Sequence, residues 1–191
     1  EKGLFYPVDP SSQGSCWIGG NVAENSGGAR AVKYGVTKDY VINMEVVLPN
    51  GEIIWTGANT LKNSTGYNLT QLMVGSEGTL GVITKIVLKL LPQNTHNVLM
   101  LVPFFKASQA CEAVSAIFRA GIIPSALEFM ERDAIDWTLK YNDNINITVK
   151  DNVQAHLLIE VDGNYPEILM QEAEKIMNVV EQFEIDEVLF A

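Results

Sequence analysis

The chain has 191 residues, 47% of them hydrophobic and 19% charged, with a formal net charge of -10 at pH 7; this is a globular composition, long enough for one large domain or two small ones. No apolar run reaches the roughly eighteen residues of a membrane span, and "EKGLFYPVDP" has no basic-then-apolar signal layout, so neither a span nor a secretory signal is expected. The acidic balance argues against nucleic acid or an anionic membrane as the partner.

The charge is unevenly placed. Residues 1–95 carry seven Lys/Arg and seven Asp/Glu, whereas residues 96–191 carry six against sixteen, so a domain boundary is expected near residue 95. Cys16 and Cys111 form no metal-spaced or disulfide-like pattern, which makes a reducing compartment, the cytoplasm, the expected location. The N-x-S/T triplets at Asn63, Asn68 and Asn146 are read as chance without a secretory signal.

Gly19 to Gly35, "GGNVAENSGGARAVKYG", holds five glycines and two asparagines in seventeen residues. Either this is a string of ordinary turns, or it is a loop whose unhindered N–H groups point at carbonyls or phosphates of a ligand. It contains neither the G-x-G-x-x-G dinucleotide fingerprint nor a phosphate loop. Farther on, "VINMEVVL" and "IIW" flank "PNGE". That is a hairpin signal, because Asn-Gly accepts positive φ at both central positions.

A short helix is expected around Leu69–Met73, then a glycine-rich turn, Gly75–Gly81, and a strand from Val82 to Leu91 closing at Pro92. Strict alternation along that strand puts Val82, Thr84, Ile86, Leu88 and Leu90 on one face and Ile83, Lys85, Val87 and Lys89 on the other. The glycines would let the backbone of Gly81, Val82 and Ile83 reach a planar ring edge, or they make a tight turn only.

Past Asn94, "NVLMLVPF" reads as a strand and "KASQACEAVSAIFRAG" as an amphipathic helix ending at Gly121. "PSALEFMERDAIDWTLKYN" reads as a strand start passing into a helix, with Glu128 and Glu131 on an exposed helical face. "QAHLLIEVDG" is a strand, "YPEILMQEAEKIMNVVEQF" a helix, and "IDEVLFA" a final strand. The order suits a ferredoxin-like α+β layer.

"YPVDPSS", "IGGNVAENSGG", "KYGVTKDYVINMEVVLPNGEI", "STGYNLTQLMVGSEGTLGVIT" and "KLLP" occur in one order. Together they resemble the FAD-linked oxidases of the vanillyl-alcohol oxidase type, most like the glycolate oxidase subunit and D-lactate dehydrogenase branch. The resemblance is close over residues 1–95; over 96–191 it rests on strand order and "PSALEFMERDAI". It implies an α+β fold: the second half of a PCMH-type FAD-binding domain (1–95), followed by part of a ferredoxin-like α+β cap domain (96–191). The chain is accordingly expected to be the middle of a longer enzyme, inactive alone.

The implied cofactor is FAD. Carried over by motif, its contacts are Pro10, Ser11, Ser12, Ser15 and Cys16 in the first loop, then Gly19, Gly20, Asn21, Glu24, Asn25, Ser26 and Gly27. Glu77, Gly78, Gly81, Val82 and Ile83 complete the set on the adenine side. Glu24 stands where the family more often has threonine, and a carboxylate near a flavin phosphate is unfavourable.

The implied reaction is hydride transfer from C2–H of a D-2-hydroxy acid to the flavin, giving a 2-oxo acid. The small 2-hydroxy acid is the expected substrate, an electron-acceptor subunit or iron–sulfur protein the expected partner, and a homodimer is compatible. No catalytic base and no metal ligand is assigned: His96 and His156 lack the spacing of the family's histidine-rich segment and are read as structural or surface residues. Trp17, Tyr34 and Tyr67 could pack near a flavin, but core packing is expected for each. Two alternatives stay open: a flavoenzyme of the alkyl-dihydroxyacetonephosphate synthase type, and a non-catalytic ferredoxin-like binding module in 96–191.

Overall fold

The structure is a computed structural model that describes residues 2–142 and 148–191; the triplet at Asn146 lies outside the described residues. The chain divides into two units, Glu1–Gln93 and Asn94–Ala191.

In the first unit, β1 (Leu4–Phe5), α1 (Ile18–Glu24) and α2 (Ala31–Tyr34) precede a hairpin of β2 (Val41–Val47) and β3 (Ile53–Trp55). Then come α3 (Leu69–Met73), β4 (Val82–Leu88) and β5 (Leu91–Pro92). An antiparallel sheet runs β3-β2-β4, and β1 pairs with β5. β2 turns Val41, Met44 and Val46 into a core with Val22, Met73 and Val74, against which Ile83, Ile86 and Leu88 pack; a register shift between Val41 and Asn43 puts Val41 on the same side as Met44 and Val46.

The hairpin forms as expected, but its turn differs. Gly51 has φ +86° while Asn50 is not in the positive region. The Gly51 N–H donates to Leu48 O and the Leu48 N–H to Glu52 O, each at 2.8 Å. Pro49 presets the first central position of a turn with negative φ, which leaves only Gly51 to carry the left-handed residue.

The strand expected over Val82–Leu91 is also corrected. It breaks after Leu88, and Leu91–Pro92 pairs instead with Leu4–Phe5. Nor does it alternate strictly: Glu45 pairs with Lys85 but Val46 with Ile83, so Thr84 is an extra residue. Such a bulge shifts the side-chain phase by one, and Ile83 therefore shares the core with Ile86 and Leu88. The neighbours Thr84 and Lys85 both reach Glu45, at 2.9 and 2.8 Å.

The second unit runs β6 (His96–Phe104), α4 (Ala107–Arg119), β7 (Ala126–Glu131), α5 (Arg132–Tyr141), β8 (Ala155–Gly163), α6 (Pro166–Val180) and β9 (Leu189–Phe190). The sheet order is β7-β8-β6-β9, antiparallel throughout. This is the ferredoxin-like order, with α5 as an added helix between the second and third strands.

Alternation along β6 and β8 sends Met100, Val102, Phe104, Leu157, Ile159 and Val161 into one core with Ile117 of α4 and Leu169, Ala173 and Ile176 of α6. The intervening residues, His156, Leu158, Glu160 and Asp162, fall on the other face. Glu128 and Glu131 lie on β7 and not on a helix: the "ALEFME" run is recruited by pairing with β8 before α5 begins at Arg132. Among the described residues no helix is long and apolar enough to cross a membrane.

Ile176 is fully buried on α6 whereas Ile168, on the same helix, is half exposed. Ile176→Ala is expected to lower the unfolding free energy by about 2–5 kcal/mol through the cavity it leaves. Ile168→Ala should stay within about 1 kcal/mol; denaturant unfolding compares the two.

Candidate functional site

The glycine-rich block is not the loop expected from its composition: residues 18–24 form α1. Two glycines weaken a helix of that length, so its stability must come from its ends and its docking. At its C-terminus Asn25 takes the left-handed conformation, φ 56° and ψ 49°. The Ser26 N–H reaches Asn21 O at 2.9 Å and the Asn25 N–H reaches Val22 O at 3.3 Å, the paired bonds of a Schellman cap.

The Asn25 side chain then accepts from the Lys38 N–H at 2.9 Å. Buried Asn21 is held by Cys16 Sγ at 3.5 Å and Ser26 Oγ at 3.4 Å. Ser26 O in turn accepts from the Thr37 hydroxyl at 2.7 Å.

The second glycine-rich segment docks on the same helix end. The Gly75 N–H donates to Val22 O at 3.0 Å and the Glu77 N–H to Ala23 O at 2.9 Å. Both turn residues have positive φ, 78° at Gly75 and 50° at Glu77. The structure thus brings Asn21–Gly27 and Glu77–Gly78 together around the C-terminal end of α1. Ahead of the helix, Pro10–Ser15 forms consecutive tight turns, with Gln13 N–H on Pro10 O and Ser15 N–H on Ser12 O. Pro10 is buried there, while Ser11, Ser12 and Ser15 are exposed.

The glycines of this region divide into two kinds. A Cβ on Gly28 would overlap the Asp9 carbonyl, and one on Gly81 would stand 2.6 Å from Val46 Cγ1 and 2.8 Å from Val47 O. Those two admit the protein's own backbone. At Gly19 and Gly20 a Cβ would meet nothing within 4 Å, so the bare backbone there faces open space.

Glu24 is exposed on the same helix. Val82, 64% exposed, begins β4, which is an edge strand of its sheet, while Ile83 turns towards the core. Trp17 and Tyr67, expected in the core, are 85% and 95% exposed, which corrects that reading. Each follows a turn and stands outside the strand alternation that would have buried it. Tyr34 does pack, edge-on to Phe5.

A polar cleft between the 56–70 loop and β2 was not singled out from the sequence. Asn43 organises it by accepting from the Gly57 N–H at 2.8 Å and donating to Asn59 Oδ1 at 2.8 Å, beside a buried Thr56–Thr70 hydroxyl pair at 2.8 Å. The signal was the polar Asn43 inside an otherwise apolar strand.

In the second unit His96 is exposed and His156 is buried. Burial, and after it the Arg132 guanidinium, hold the His156 imidazole below its ordinary pKa of 6.5. Asn97 Nδ2 donates to buried Glu160 at 2.9 Å on the same sheet face. Among the described residues no group of His, Cys, Asp and Glu could hold a metal ion.

The FAD binding domain model matches residues 1–57 and the model "FAD linked oxidases, C-terminal domain" matches residues 93–191. The chain belongs to the FAD-linked oxidases. It is 47% identical over 175 residues to the glycolate oxidase subunit GlcD of Bacillus subtilis (strain 168), covering 92% of this chain and 36% of the relative. It is 42% identical to a D-lactate dehydrogenase of Anaerostipes hadrus, over 94% of this chain and 38% of that one. A D-2-hydroxyglutarate dehydrogenase of Xanthomonas citri pv. viticola is 41% identical over 74% of the chain and 30% of its own length.

The chain therefore spans little more than a third of the first two relatives. An alkyldihydroxyacetonephosphate synthase structure superposes with a TM-score of 0.78 over 96% of this chain and 35% of that one, at 20% identity, a likeness of fold alone. The cofactor of this FAD-linked oxidase is FAD, and at Gly19 and Gly20 the chain offers bare backbone that no side chain screens.

Gly28→Ala is expected to lower the melting temperature sharply, because its Cβ meets backbone. Gly19→Ala should hold or raise it, alanine being about 1 kcal/mol better in a helix; a thermal melt of both checks this. For His156, the folded state takes up a proton less readily than the unfolded chain. Its contribution is whole above about pH 6.5 and is lost as pH falls from there through the lowered folded value. Unfolding titrations from neutral to acid pH should show that loss in the wild type and a shallower one in His156→Leu.

Proposed function

We propose that this chain forms part of an enzyme that oxidises a small D-2-hydroxy acid, of the glycolate or D-lactate kind, to the 2-oxo acid. Residues 1–95 are the C-terminal part of its FAD-binding domain and residues 96–191 the N-terminal part of its substrate-side cap. The observation that carries the reading is the docking of two glycine-rich segments on one helix end, next to glycine backbone that nothing covers.

In this reading Gly19, Gly20, Asn21 and Gly27 line the flavin, with Asn25 and Ser26 shaping the turn beside it. Pro10, Ser11, Ser12, Ser15 and Cys16 close one side. Glu77, Gly78, Gly81, Val82 and Ile83 contribute at the adenine end through backbone. Glu24 stands at the rim, where its carboxylate stays in water. FAD, when bound, supplies the hydride acceptor; the chain's own part is to bind and orient it and to exclude water with exposed apolar groups such as Trp17.

GlcD is named as a subunit of a glycolate oxidase, and a partner subunit that takes up electrons, an iron–sulfur protein among the candidates, goes with this reading, as do a homodimer and a cytoplasmic location. The synthase-like alternative is less well supported. Its namesake acts on a phosphate compound, which calls for cationic side chains, whereas residues 96–191 carry six Lys/Arg against sixteen Asp/Glu.

Titration of FAD against the chain, followed by flavin fluorescence, tests the site. Saturable quenching is expected in the wild type. Gly20→Leu, which introduces a good helix former but covers the bare backbone, should weaken binding by at least about tenfold with no drop in melting temperature. A folded chain that leaves flavin fluorescence unchanged would overturn the assignment of residues 10–27 and 77–83.

A further inference from the structure

The turn that joins β2 to β3 carries a reactive pair that the flavin reading leaves unused. Asn50 and Gly51 are the chain's only Asn-Gly dipeptide, and both residues are exposed at the hairpin tip. An asparagine loses its side-chain amide when the backbone nitrogen of the following residue attacks Cγ. Glycine, with no Cβ, leaves that approach open, whereas every other asparagine of the chain precedes a residue with a side chain.

The hydrogen bonds of the turn favour the attack at one atom and oppose it at another. The Glu52 N–H donates to Asn50 Oδ1 at 3.1 Å, the oxygen that gathers negative charge when Cγ is attacked. A backbone donor so placed lowers the barrier as it does in an oxyanion hole. Against this, the Gly51 N–H donates to Leu48 O at 2.8 Å. That bond has to open first, which slows the step by no more than about tenfold. Asn63 supplies a comparison within the same unit. It is exposed, and its Oδ1 accepts from the Thr65 N–H at the same 3.1 Å, but Ser64 follows it.

We propose that Asn50 is a site of spontaneous modification, becoming aspartate and isoaspartate ahead of every other asparagine in the folded chain. Gly51 N forms a bond to Asn50 Cγ, the Cγ–Nδ2 bond breaks, and the proton from Gly51 N leaves with Nδ2 as ammonia. Water then opens the resulting cyclic imide at either carbonyl, with no oxidant or reductant involved. The product carboxylate replaces the Nδ2 that donates to Glu52 Oε2 at 2.9 Å, so an attraction becomes a repulsion between like charges. The isoaspartate form also lengthens the main chain inside the turn that sets the pairing of β2 with β3.

The test incubates the full chain, folded, in mildly alkaline buffer and follows each asparagine by peptide mapping and mass spectrometry. Asn50 is expected to convert first, to both aspartate and isoaspartate, with Asn63 slower by at least about tenfold. Ser64→Gly, a change in an exposed loop, should bring Asn63 up towards the Asn50 rate. Asn50→Gln should remove the early release of ammonia while circular dichroism stays unchanged. Conversion of another asparagine before Asn50 overturns the proposal. So does aspartate formed without isoaspartate, which marks direct hydrolysis, or an Asn63 rate that Ser64→Gly leaves where it was.

Discussion

Two backbone hydrogen bonds, from Gly75 N–H to Val22 O and from Glu77 N–H to Ala23 O, hold the first unit's glycine-rich segments in one place. Without them α1 would be seven residues with two glycines and no side-chain N-cap, too short and too weak to persist in water. A carbonyl has two lone pairs, so Val22 O accepts from Gly75 N–H while it keeps the Asn25 N–H of the cap, and docking the later turn costs no bond within the helix. The same docking sets Gly75 close against Asn25, whose left-handed conformation ends the helix. Cap and turn therefore stabilise one another, and the bare backbone at Gly19 and Gly20 inherits its position from both.

The elements with strong local signals were legible in the residues. The hairpin around Pro49-Asn50-Gly51, the amphipathic α4 and α6, and the alternating β8 all lie where their period puts them. So does the ferredoxin-like strand order of the second unit. What could not be read was set by tertiary contact. Nothing in "IGGNVAE" announces a helix, since its stability comes from residues far along the chain. The bulge at Thr84 is invisible to a count of alternating residues, because it depends on the register against Glu45 and Val46.

The candidate site shows the same division. That glycines cluster was plain in the sequence, but which of them serve the fold was not. Gly28 and Gly81 make room for neighbouring backbone and Gly19 and Gly20 do not, a distinction that needs coordinates. Trp17 and Tyr67 read as core by residue type, because aromatic side chains usually are. Their exposure reflects position after turns, where no strand or helix face directs them inward.

The strand order of the second unit bears on how the chain is made. β6 is the first of that unit's strands to leave the ribosome, yet its neighbours in the sheet are β8 and β9, which are synthesised later. Until "AHLLIEVDG" emerges, "HNVLMLVPF" has two open edges, the kind of exposed strand that other chains can pair with. The pairing of Met100 with Phe190 joins nearly the whole length of the unit and closes a large loop, which slows folding relative to local contacts. A nascent chain of this family is thus most open to aggregation and chaperone capture in the interval between those two strands.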